Sequence, residues 1–322
     1  MNPFSADPSL AIGSLGESAL IEKLRTWLGA SSPTSPFGIG DDCAVLPSVT
    51  PNSQQLVTAD PIIYGKHFDD SVGPEQAAAK LLRRNLSDIA AMGGRPTHAV
   101  IALALSSNVS ISWIESFYKG LALEAEQFSV SIVGGDVSSA DGFLGAFLTL
   151  YGETLPQPRP LLRKNATPES PIFVTGELGG TRIKKHYSFT PRLAEGQWLA
   201  QSGVCTSCSD LSDGLGKDFA NITPDGLVCV IDCEKVPVAT DAESISKESQ
   251  HSPLYHAFND GEDFELIFTL SPDTNLDAFK LDWEANFDTP LSQIGVLREG
   301  ESGLILANEP SNFSATGYEH LR

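Results

Sequence analysis

Five short acidic motifs punctuate the apolar runs of this chain: Gly40-Asp41-Asp42, Thr58-Ala59-Asp60, Asn85-Leu86-Ser87-Asp88, Gly134-Gly135-Asp136 and Ser209-Asp210-Leu211-Ser212-Asp213-Gly214. Each sets a carboxylate beside Gly, Ser or Thr, mostly where an apolar run stops. That limits the fold to one in which the ends of many elements carry acid. Carboxylates scattered in this way can converge and hold Mg²⁺, which prefers oxygen ligands and bridges substrate phosphates. The pattern points to phosphoryl transfer.

The remaining composition narrows the field. At 322 residues the chain is long enough for two domains with buried cores. A net charge of −20 leaves no excess of Lys or Arg for a nucleic acid partner. A chain this acidic that handles phosphates needs divalent cations to offset repulsion. No run approaches the roughly 18 apolar residues of a membrane span. Met1 to Gly16 lacks a basic start followed by an apolar stretch, so the cytoplasm is the expected location. Cys205-x-x-Cys208 and Cys229-x-x-x-Cys233 mimic a zinc site. If Gly226 to Val236 is a strand, however, Cys229 and Cys233 stand about 13 Å apart, too far to share a metal. Reduced, mostly buried thiols are the expectation.

Along the chain, Ser14-Leu15-Gly16-Glu17 reads as a capping box opening a helix with Ile21, Leu24 and Leu28 in one stripe. Leu56 to Ala59 reads as a strand ending at Asp60, and Pro74 to Met92 as a helix stopped by Gly93-Gly94. Then follow strand His98–Leu105, helix Ile111–Phe128, strand Val130–Val133 terminated by Gly134-Gly135-Asp136, and strand Phe143–Gly152. Five prolines between Pro156 and Pro171 suggest a boundary, giving domains 1–155 and 156–322. Beyond it come strand Ile172–Thr175, a helix around Arg192–Ser202, and strands Leu227–Asp232, Glu265–Leu270 and Leu304–Ala307. The alternation indicates an α+β (mixed α/β) protein.

The familiar nucleotide signatures are absent: there is no P-loop, dinucleotide fingerprint or protein-kinase loop. Asp41 and Asp42 follow a tight Gly-Ile-Gly turn, and their repulsion is relieved either by solvent or by a cation. Asp88 lies inside a helix of Ala and Leu, where Asp is mildly disfavoured, so it needs a partner: an arginine or a metal. Asp136 follows a Gly pair that either forms a turn or lets backbone amides approach a phosphate. Asp210 and Asp213, with Gly214 next, suggest a strand-to-helix junction that either caps a helix or faces a ligand. Asn259 to Leu266 is dense in acid just before a strand.

Taken in order, these motifs resemble the thiamine-monophosphate kinases. The shared pattern comprises Gly38–Asp42, Asp60 with His67-Phe68, Asn85–Gly93, Gly134–Asp136, Asp210–Leu215, Gly261–Leu266 and Gly317-Tyr318-x-His320. The resemblance covers essentially the whole chain, from about Gly16 to His320. It implies the two-domain aminoimidazole ribonucleotide synthetase-like fold, with the N-terminal domain forming a homodimer. It also implies transfer of a phosphoryl group from ATP, with several Mg²⁺ ions, to thiamine monophosphate. Carried over position by position, Asp42, Thr58, Ala59, Asp60, Asp88, Asp136, Asp210 and Asp213 correspond to metal ligands or their immediate neighbours. Tyr118, Gly135, Asp136, Arg163 and Ser212 match ATP contacts, and His67, Glu262 and Tyr318 match thiamine-phosphate contacts.

The acceptor in such a reaction is an ionised phosphate oxygen, so catalysis needs positioning and charge neutralisation rather than a strong base. Several positions depart from the family pattern: Pro61 and Val137 replace Thr, Tyr64-Gly65-Lys66 and Asn259-Asp260-Gly261 are unusual, and Gly179 to Arg192 is short. A non-catalytic thiamine-phosphate or nucleotide-binding relative is the alternative. Selenophosphate synthetases need a reactive residue near the N-terminus and hydrogenase-maturation relatives a terminal Cys; neither is present here.

Overall fold

The structure, a computed structural model, describes residues 35, 41, 43–47, 50–156, 159–310 and 313–319. The predicted helix after Ser14, the Gly38–Gly40 turn, Asp42 and His320 lie outside the described residues.

Two sheets organise the rest. The first contains β1 (Ala44–Pro47), β2 (Gln54–Ile63), β3 (Gly94–Leu105), β4 (Ser131–Ser139) and β5 (Leu144–Thr154), in the order β1-β2-β5-β3-β4. Only the β3–β4 pair is parallel. Helices α1 (Pro74–Ala91) and α2 (Ile111–Gln127) pack with this sheet. Pro74 occupies the first turn of α1, where its missing N–H costs nothing, and Gln76 Oε1 accepts the N–H of Gly73. Leu81, Leu82, Leu86 and Ile89 are fully buried, each contributing about 1.5–3 kcal/mol of apolar burial.

The second sheet contains β6 (Pro171–Thr175), β7 (Cys205–Asp210), β8 (Leu227–Asp232), β9 (Leu266–Leu270), β10 (Leu291–Glu299) and β11 (Gly303–Ala307), in the order β11-β8-β10-β6-β9-β7. Helices α3 (Leu193–Ser202), α4 (Thr240–Ser249), α5 (Pro253–Asn259) and α6 (Leu276–Asn286) accompany it. The two halves are tied together at the end of α1. Ala90 and Ala91 belong to a core that includes Leu199 of α3 and Phe268 of β9.

Several elements differ from the sequence reading: β7 and β10 have no counterpart in it, and the strand expected over Gly226 to Val236 ends at Asp232, leaving Cys233 in a 3₁₀ turn. Strand β2 does not stop at Asp60 but runs on to Ile63. Likewise Gly134-Gly135-Asp136 lies within β4 rather than ending it. The ladder to β3 shifts register between Ala99 and Val100, and a Cβ on Gly135 would stand 1.9 Å from the Ile101 carbonyl oxygen. Glycine is needed there for a close backbone approach. The cysteines are free thiols, four of them buried, and burial pushes the Cys229 thiol up to about 12. Among the described residues no helix is long and apolar enough to cross a membrane.

Candidate active site

Strand β2 alternates its side chains, so Thr58 and Asp60 share the face that carries buried Leu56 and Ile62. That face meets α1, and the Asn85–Asp88 motif secures the contact. Buried Asn85 accepts the Asp60 backbone N–H at 2.9 Å and donates to Leu81 O. Asp88 accepts the Thr58 hydroxyl at 2.5 Å. Ser87 points toward the second half and donates to Asp210 at 2.7 Å. One helical turn therefore fixes three carboxylates: Asp60, Asp88 and Asp210.

The Asp210–Gly214 segment forms the predicted junction between β7 and a short helical turn, Leu215–Asp218. Gly214 adopts φ +90° and packs its α-carbon against the Phe258 carbonyl, which excludes any side chain. The backbone stitches neighbouring motifs to this loop: Glu262 N–H donates to Ser212 O at 2.7 Å, and Tyr318 N–H to Asp213 O at 2.8 Å. Beneath it, Asp218 is fully buried and accepts the Asp213 N–H. Burial, then repulsion from Asp213 and Asp210, raises its carboxyl well above the usual range. Glu262 and Phe264 take positive φ of 59° and 51°, a backbone strain that clusters at functional sites.

Between the two halves lies a cleft of about 330 Å³. It gathers Thr58, Ala59, Asp60, Asp88, Asp210 and Asp213 from the predicted metal set, Arg163 and Ser212 from the ATP set, and His67, Glu262 and Tyr318 from the acceptor set. Asp41, left open by the sequence, also lines it, and its carboxylate accepts the Arg163 N–H at 2.9 Å. Three predicted residues stand apart. Gly135 and Asp136 lie on exposed edge strand β4, where Ser138 donates to Asp136, and Tyr118 lies on the exposed side of α2.

Sequence reasoning named Arg163 but missed two cations at the cleft, Lys80 behind it and Arg84 on its wall. Lys80 is fully buried on α1; its Nζ donates to Glu262 at 2.8 Å and to His67 O at 2.7 Å, and stands 3.0 Å from His186 Nδ1. Burial lowers its affinity for the proton, and Glu262 works against that. Arg84, one turn later, faces Asp60 and Glu262. The signal was present: Lys80, Arg84 and Asp88 recur every four residues in a helix otherwise rich in Ala and Leu. The short Gly179–Arg192 segment supplies His186 through a π-helical turn (Thr181–Lys185) followed by one α-turn. His67 Nδ1 accepts the Ile63 N–H at 3.0 Å, which places the ring proton on Nε2.

The donor set fits a hard cation. Its members are carboxylate and hydroxyl oxygens, yet among the described residues no three acidic, imidazole or thiol groups form a ready cage. Mg²⁺ suits that arrangement, because it takes one or two carboxylates and completes its shell with water and substrate phosphates.

Comparison with known proteins agrees with this geometry. Residues 40–153 match the family model of the AIR synthase related protein, N-terminal domain. The thiamine-monophosphate kinase of Rhodopirellula baltica is 32% identical over 280 residues, covering 84% of this chain and 86% of the relative. That of Escherichia coli K12 is 32% identical over 331 residues, covering 95% and 98% respectively. A solved structure of AaThiL complexed with AMPPCP and TMP superposes with a TM-score of 0.82 at 27% identity, over 98% of this chain and all of the other. The chain belongs to the thiamine-monophosphate kinase family.

Proposed function

We propose that this protein transfers the γ-phosphoryl group of ATP to the phosphate of thiamine monophosphate, giving thiamine diphosphate and ADP. The observation that carries this reading is the convergence, in one cleft, of acidic residues from β2, α1 and the Asp210–Asp213 loop beside His67, Glu262 and Tyr318. A phosphate oxygen of the acceptor forms the new bond to phosphorus as the bond to the β,γ-bridging oxygen breaks. The acceptor is already ionised, so the cleft offers no group as a strong base and works by alignment.

Mg²⁺ bound by Asp60, Asp88, Asp210 and Asp213 would neutralise the phosphates. Arg163 and Ser212 hold the nucleotide on the same side of the cleft. The Tyr318 ring, already under Lys66 Nζ at 5.1 Å, can accept the cationic thiazolium instead. The His67 Nε2–H and Glu262 bound the acceptor pocket.

The N-terminal part, to residue 155, would supply most of the metal site and the homodimer contact; the part from 156 closes the cleft. Edge strand β4 supports the dimer reading: all nine of its residues are exposed, including Val133 and Val137, with Phe147 exposed on β5. A long apolar edge is a pairing hazard unless something covers it, and a second copy would also bring Gly135, Asp136 and Tyr118 into a shared surface. On this reading the protein acts in the cytoplasm, beside its substrates.

Offering thiamine monophosphate or free thiamine with ATP and Mg²⁺, and quantifying the phosphorylated products, tests the reading. Thiamine diphosphate from the monophosphate, with no product from thiamine, is the expected result. Phosphorylation of free thiamine alone would contradict it.

A further inference from the structure

Arg84 is a charged group of the cleft without an assigned task. Arg84 is 8% exposed and lines the cleft. Its Nη2 stands 3.5 Å from Asp60 and its Nη1 3.9 Å from Glu262, both long for hydrogen bonds. Its Nε and Nη1 are buried with no hydrogen-bond partner. Leaving such donors unused is costly, and each instance in a folded protein calls for a reason.

Position supplies one. Arg84 stands between the metal-side carboxylate Asp60 and the acceptor-side Glu262, with its guanidinium 6.0 Å from the Phe264 ring centre. The neighbouring cations are engaged: Lys80 with Glu262, and Lys66 with the Tyr318 hydroxyl. A phosphate monoester entering between the two ends comes within reach of the guanidinium.

We propose that Arg84 grips the phosphate of the acceptor, using the donors that Nε and Nη1 leave free. This deepens the functional reading above and rests on it. A guanidinium suits the task because it keeps its charge at any working pH and presents several donors in a fixed plane. It would hold the acceptor oxygen in line and make the phosphate itself, rather than the thiazolium alone, the handle by which the substrate is chosen.

The test compares the wild type with Arg84→Lys and Arg84→Gln in equilibrium titrations of thiamine monophosphate and free thiamine, with Mg²⁺ and without nucleotide. The variants should lose about 10- to 100-fold in affinity for the monophosphate, the worth of a charge-assisted hydrogen bond, and keep their affinity for thiamine. A folded variant with an unchanged monophosphate-to-thiamine ratio overturns the proposal. Should both variants fail to fold, the wild type in EDTA decides. A fixed guanidinium needs no metal, so the monophosphate should still bind more tightly than thiamine, and equal affinities would overturn the proposal. Failure of the broader reading is separable, since it appears as a wild-type protein that makes no thiamine diphosphate.

Discussion

Replacing Lys80 with Met tests whether the cleft is held together by one buried cation. Its ammonium spans the halves, bonding to His67 O from the first and Glu262 from the second. Breaking a fully buried ion pair costs about 3–5 kcal/mol. Glu262, however, keeps 31% of its side-chain surface exposed and can rehydrate, and Met refills the space of the aliphatic stem. The net loss should be about 2–3 kcal/mol.

For 322 residues the unfolding entropy is about 0.7 kcal/mol per kelvin, so the midpoint should fall by about 3–4 °C. Thermal unfolding followed by circular dichroism measures that shift. A double-mutant cycle with Glu262→Gln isolates the pair and should return a coupling of about 1.5–2 kcal/mol. Thiamine monophosphate affinity should drop while ATP affinity holds. A shift under about 1 °C together with a coupling under about 0.5 kcal/mol would refute the claim that this pair joins the halves.

Other perturbations have equally definite outcomes. Asp88→Asn or Asp213→Asn should reduce turnover by at least about 10³-fold, the loss of about 4 kcal/mol of charge stabilisation, with circular dichroism unchanged; near-normal rates in both would remove the shared metal site. Tyr318→Ala should raise the KM for thiamine monophosphate about 5- to 30-fold, as expected for a cation–π contact of about 1–2 kcal/mol, and leave the KM for ATP unaltered. Buried Asp263, raised to about 6 chiefly by burial, is held protonated more firmly by the fold than by the unfolded chain. It therefore favours folding most at acid pH, and that contribution is lost as pH rises from about 4 to about 6, by about 2–3 kcal/mol. Asp263→Asn should flatten the denaturant midpoint across that window; an unchanged slope would contradict the assignment.

How much of this was legible depended on whether local chemistry or long-range packing set each feature. Helix α1, strand β8 and the Asp210–Gly214 junction were readable because apolar period, proline and glycine agree there. Strand β7 was not: Cys205–Asp210 is rich in Ser, Thr and Cys, and its polar side chains are satisfied by distant partners. Ser207 Oγ accepts the N–H groups of Asn165 and Ala166, and the Thr206 and Thr269 hydroxyls pair at 2.7 Å. Asp136 sits mid-strand because the β3–β4 register shift, invisible locally, draws Gly135 against Ile101. The acids announced the cleft, whereas the four-residue spacing of Lys80, Arg84 and Asp88 gains its meaning only once the second half of the chain is folded over them.

The most direct test of the account is thiamine diphosphate formation from thiamine monophosphate and ATP as free Mg²⁺ is titrated into EDTA-treated protein. No product in EDTA, restored in full by Mg²⁺, is the predicted result. Undiminished product in EDTA, or none from folded protein at any Mg²⁺ concentration, would contradict it.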